Sequence, residues 1–138
     1  MGAVGLLLGQ GGCQQIGIVT LSPDEEIGFA AVKPILQERC LPCHQGDYLG
    51  AKVPDFRTSK DLLDSNRPVP LVVPGDPESS RVLQVVYLEA ETGEVMPPLG
   101  HGLSLEEKNL LGEWIRQGAE WPEDEVLQSA AVADTTPR

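Results

Sequence analysis

Residues 40–44 read Cys-Leu-Pro-Cys-His, and they hold three of the five cysteines and histidines of the 138-residue chain, which has 3 Cys and 2 His. Three chemistries use cysteines at this spacing: zinc binding, dithiol exchange and covalent haem attachment. A closed zinc site needs four ligands. The chain offers Cys40, Cys43, His44, His101 and the distant Cys13. Adjacent residues such as Cys43 and His44 are poorly placed to share one tetrahedral ion, and a second ligand pair of knuckle spacing is missing. Dithiol exchange fits the Cys-x-Pro-Cys order, but that site opens a helix after a strand. Here a helical pattern leads into Cys40 and a glycine-containing loop follows His44. Haem attachment accounts for every member of the pentapeptide. Each thiol adds to one vinyl group of a porphyrin, and the histidine directly after the second cysteine lies beneath the iron.

A haem that only moves electrons gains from a second axial ligand. The sequence offers Met96, His101 and Met1. Met1 falls in an apolar leader. A lone methionine is usually core filler. Met96 instead stands before Pro97 and Pro98 in a loop between two helical patterns, a poor place for filler, which favours it as ligand. His101, between two glycines, reads as a solvated loop residue or as a competing ligand. An open position would suit a peroxidase or a sensor of small gases. His44 should donate its Nδ1 proton to a backbone carbonyl, which fixes the ring; Pro54 is the candidate acceptor. Arg57 is the candidate partner for a haem propionate, with a solvated surface arginine as the plain alternative. Gly100 and Gly102 would allow the distal loop a close approach.

The elements that must position these groups read as short helices joined by long loops, an all-α pattern without a convincing sheet. Ser22-Pro23-Asp24 carries N-cap and first-turn signals, and Phe29, Val32 and Leu36 follow at helical spacing. Pro34 would kink that helix or move its start later. A short helix fits residues 58–65. Asp76-Pro77 opens a further one, with Val82, Val85 and Val86 on its face. Ser104 and Glu107 form a capping box before Leu111, Trp114 and Ile115, and Gly118 is the stop.

Composition sets the outer bounds. With 12 Pro, 15 Gly and 4% aromatic residues, the core is poor in large side chains and would gain from an apolar cofactor. The formal net charge of −11 argues against nucleic acid and anionic membrane surfaces, and points to a partner with a basic docking face or to solubility alone. Residues 1–13 read as an export signal or a lipoprotein-like segment with Cys13 as the lipid-anchored residue, too short to span a bilayer. Residues 14–27 read as a linker, 28–122 as the domain, and 123–138 as a disordered acidic and polar tail.

The stretches FAAVKPILQERCLPCH, DFRTSKDLL, VPGDPESSRVL, VMPP and LSLEEKNLLGEWIRQGAEWP occur in this order and fill most of residues 29–122. In them the chain resembles a planctomycete-type cytochrome c domain, a variant of the class I cytochrome c fold. The resemblance implies one covalent haem c on Cys40 and Cys43, with His44 as proximal and Met96 as distal ligand. It implies terminal helices that cross beside the haem, with Val32 and Leu36 meeting Trp114 and Ile115. In this family the domain is often one part of a larger exported protein. The expected function is a monohaem electron carrier outside the cytoplasm, in the periplasm or anchored to a membrane through Cys13, and not an enzyme. The alternatives are an open-site peroxidase or gas sensor, and a module in which the haem serves mainly as core.

Overall fold

The structure, a computed structural model, describes residues 22, 24–46, 53–88, 93–98 and 102–129. Among them there is no strand, and the all-α expectation holds. Helix α1 spans Phe29–Ile35 and runs directly into a π-helical turn, Leu36–Cys40. Helices α2 (Ser59–Leu62), α3 (Arg81–Val86) and α4 (Leu105–Arg116) follow. Helix α1 packs on α4, and α3 packs on α4.

Helix α1 starts at Phe29, with Gly28 as N-cap, and not at Ser22-Pro23. The residues that signal a start close a separate turn instead, with Glu25 N donating to Ser22 O at 2.9 Å. Pro34 sits inside the helix, where it has no N–H to donate to the turn before it. The ladder then widens, and Leu41 N donates to Leu36 O at 2.9 Å, five residues back. Leu36 and Cys40 both end up buried. The third helix also starts later than its first cap signal. Asp76 accepts from Ser79 N at 3.1 Å and Ser80 N donates to Pro77 O at 3.2 Å, so Asp76-Pro77 builds a turn and Ser80 becomes the N-cap.

Helix α4 has the expected ends. Ser104 Oγ accepts from Glu107 N at 3.1 Å, and Glu107 Oε2 accepts from Ser104 N at 2.7 Å. At the other end Gly118 N donates to Ile115 O at 3.0 Å and Ala119 N to Trp114 O at 2.9 Å, the Schellman arrangement. Gly118 has φ 114°, a conformation that side chains resist.

The core joins Phe29, Val32, Ile35 and Leu36 with Leu111, Trp114 and Ile115. Phe29 lies 6.3 Å from Trp114 and 4.4 Å from Trp121, centroid to centroid. Val72 and the buried Ser80 carry the VPGDP turn. The Ser80 hydroxyl accepts from Val73 N and donates to Asp76 O, each at 2.8 Å. Gly75 N in that turn donates to Ile115 O at 2.7 Å, which docks it on α4.

Residues 123–129, which composition assigns to a disordered tail, are mostly exposed, but Leu127 and Ser129 are buried. Leu127 is fully buried and its N–H donates to Arg57 O at 2.8 Å. Lys33 pairs with Glu125 at 2.7 Å, and Gln37 Nε2 donates to Gln128 O at 2.7 Å. Acidic composition suggested a solvated chain, but the one leucine finds the core, and Glu125 and the Gln128 carbonyl find partners on the first helix and the turn after it. Residues 130–138, Cys13 and the leader lie outside the described residues, as do Gly100 and His101. No helix among the described residues is long and apolar enough to cross a membrane.

Candidate cofactor-attachment site

The π-helical turn delivers Cys40 into the protein, and the next residues fold into a tight turn. Cys43 N donates to Cys40 O at 3.2 Å, and His44 N is shared between Cys40 O at 3.0 Å and Leu41 O at 3.1 Å. Both cysteines are free thiols. Cys40 is buried and Cys43 partly exposed. Burial pushes the Cys40 thiol up to about 12, and the nearby Glu107 carboxylate adds to the effect. Glu107 itself is drawn upward by burial. Its bonds from the Ser104 backbone N–H and from Arg39 outweigh this and hold it below its usual value. Arg39 Nε meets Glu107 Oε1 at 3.0 Å, so the turn that ends in Cys40 is tied to the cap of α4.

The His44 ring is fixed on two sides. Its Nδ1 lies 2.9 Å from Pro54 O, and since a carbonyl can only accept, Nδ1 carries the proton and donates. The Phe56 ring stacks on it at 4.2 Å with planes 16° apart. Phe56 N donates to His44 O at 2.8 Å, so backbone and side chain hold the same pair together. Nε2 is left with no partner among the described residues, with its lone pair available for a metal.

Arg57 is engaged by Asp55. Its Nε lies 3.1 Å and 2.9 Å from the two carboxylate oxygens. The hydrogen bond from the Arg57 side chain is the main reason the Asp55 carboxyl sits below its usual value. A Cβ at Gly46 would lie 2.8 Å from Arg57 Nη2, so that glycine, with φ 64°, lets the guanidinium cover the chain just after His44. Met96 is 38% exposed, in a loop held to α3 by Met96 N donating to Val85 O at 3.1 Å.

Two features were not read from the sequence. Phe56 follows Pro54 and Asp55 in a loop, and only the fold shows that its ring faces His44. Arg67, among prolines, has a buried Nε with no hydrogen-bond partner. A buried N–H without a partner marks a place where an acceptor belongs.

The donor set fits a covalent haem: two unpaired thiols separated by two residues, and an imidazole whose Nδ1 is occupied and whose Nε2 is free. Among the described residues no cluster of three or more His, Cys, Asp or Glu side chains is arranged to hold a metal ion on its own. A family model described as Planctomycete cytochrome C matches residues 40–100. No curated protein and no solved structure matches the chain.

Proposed function

We propose, from the match of residues 40–100 to the Planctomycete cytochrome C family model, that the protein is a monohaem electron carrier working outside the cytoplasm. The observation that carries this reading is the state of His44: fixed through Nδ1, stacked by Phe56, open at Nε2, and next to two free thiols.

Cys40 and Cys43 would hold the haem by thioether bonds, and His44 Nε2 and the Met96 thioether would bind its iron. When bound, the group supplies a one-electron ferric/ferrous couple, whose potential is raised by a His/Met ligand pair. The bond from His44 to Pro54 O orients the ring and raises its basicity as a ligand. The stacked Phe56 keeps water from one face of the imidazole. Arg57, already paired with Asp55, and Arg67, with its unpartnered Nε, are cations for the haem propionates. The surplus of acidic side chains favours redox partners with a basic docking face. Extracytoplasmic placement follows from the domain type, and membrane attachment through Cys13 is part of the same proposal.

One observation favours a second reading. Met96 is 38% exposed, and a thioether that leaves the iron would open it to peroxide or a small gas. A redox titration followed optically separates the two. An electron carrier gives a single one-electron wave with six-coordinate spectra in both states and negligible peroxide turnover. A high-spin resting spectrum with peroxide turnover would replace it with the second reading.

A further inference from the structure

The chain entering Cys40–His44 and the chain leaving it are both tied to one segment outside the family match, residues 123–129. Burial alternates along its second half as in an extended strap: Val126 and Gln128 are exposed, Leu127 and Ser129 buried. Trp121, which packs on Phe29 at 4.4 Å, donates from Nε1 to Glu125 O at 2.9 Å and fixes where the strap begins.

On the entering side, Glu125 pairs with Lys33 of α1 at 2.7 Å, and Gln128 O accepts from Gln37 Nε2 at 2.7 Å. Lys33 and Gln37 stand at i and i+4, on one edge of the helical run that ends in Cys40. On the leaving side, Leu127 N donates to Arg57 O at 2.8 Å. Arg57 directly follows Phe56, whose ring stacks on His44 and whose N–H donates to His44 O at 2.8 Å. Asp55 Oδ1 accepts from Arg57 N at 2.9 Å, so residues 55–57 are held as one turn, next to the Pro54 carbonyl that accepts from His44 Nδ1. A turn closed on itself can shift as a body. The bond from Leu127 fixes its place, because Leu127 is fully buried and shares the core with Phe56.

We propose that Leu127 is a positioning residue for His44, with the strap holding residues 54–57 so that Pro54 O meets Nδ1 and Phe56 stays on the ring. This rests on the reading of His44 as the haem ligand. A bond to Nδ1 sets the basicity of the imidazole. The strap therefore tunes the ligand from outside the region that the family model matches.

The test is the exchange rate of the His44 Nδ1 proton in the reduced, haem-loaded full chain, read by nitrogen-15 NMR. The chain has 2 His, so His101 is the single other ring to assign. L127A should speed exchange roughly tenfold by easing local opening. K33A/Q37A, which frees the strap from the helical run and leaves the core intact, should speed it roughly threefold. V72A trims a buried residue at the VPGDP turn without touching the strap, and should leave the rate unchanged. The midpoint potential should rise in the first two variants, since a less basic imidazole favours ferrous iron, and stay constant in the third. An unchanged rate in L127A and K33A/Q37A would overturn the proposal. So would equal acceleration in V72A, which would reduce the effect to lost stability. If L127A does not fold, K33A/Q37A against V72A decides. The optical spectrum of each sample reports haem content. A chain that takes no haem fails the cytochrome reading, whereas a loaded chain whose His44 does not respond fails the positioning role alone.

Discussion

His44 and the two cysteines before it occupy different chemical environments, and those environments can be tested. Cys40 is buried and its thiol holds its proton up to about pH 12, against an ordinary value of 9.0. In the haem-free chain the unfolded state therefore loses this proton first as pH rises. The stability tied to the neutral thiol is complete below pH 9 and declines above it. We expect the melting temperature of the haem-free chain to fall through that window, and C40A to flatten the fall. At pH 8, iodoacetamide should label Cys43 well before Cys40, by at least roughly tenfold, as mass spectrometry would read. In the loaded protein, M96A should lower the midpoint potential by roughly 0.1–0.3 V, within the ~0.8 V range that axial ligands span. Unchanged potential would remove Met96 from the iron. The Cys-x-x-Cys-His spacing was legible because sequence offsets alone define it. Pro54, expected as the acceptor, does accept from His44 Nδ1, at 2.9 Å. Phe56 and Ser80 were not legible, because stacking on a ring and satisfying a buried turn depend on where distant backbone arrives.

Helix α4 is the element whose ends the sequence describes best. Its capping box and its glycine stop both act locally, so no tertiary contact competes with them. S104A should cost about 1 kcal/mol. G118A should cost about 1 kcal/mol or more, because alanine resists the positive φ. Chemical denaturation checks both. The Glu107 carboxyl sits below its usual value, so its contribution is present at neutral pH and is lost as acid protonates it in the folded state. E107Q should reduce that acid sensitivity and loosen the tie to Arg39. The starts of α1 and α3 misled for one shared reason. Ser-Pro-Asp and Asp-Pro-Glu signal a turn as strongly as a helix start. At both places the chain uses them for a turn, and the helix begins several residues later, near the buried Phe29 and Val82.

The domain as a unit extends further than its composition implies. Leu127 is fully buried, so a chain ending at residue 122 should lose about 2–4 kcal/mol of stability, in the range of a large core deletion. L127A in the full chain should reproduce most of that loss. The net charge of −11 belongs to the whole surface, and its effect is kinetic. Electron transfer with a basic partner should slow steeply as salt is raised, with a shallower slope for a neutral one. The measurement that bears most directly on the protein's function is the optical spectrum of the exported protein, oxidised and reduced, with haem retention checked after denaturation. We expect one haem that stays with the denatured chain, and a weak near-red sulfur-to-iron band in the ferric form. No haem despite working maturation machinery, or haem that washes away on denaturation, would contradict covalent attachment at Cys40 and Cys43 and with it the electron-carrier reading.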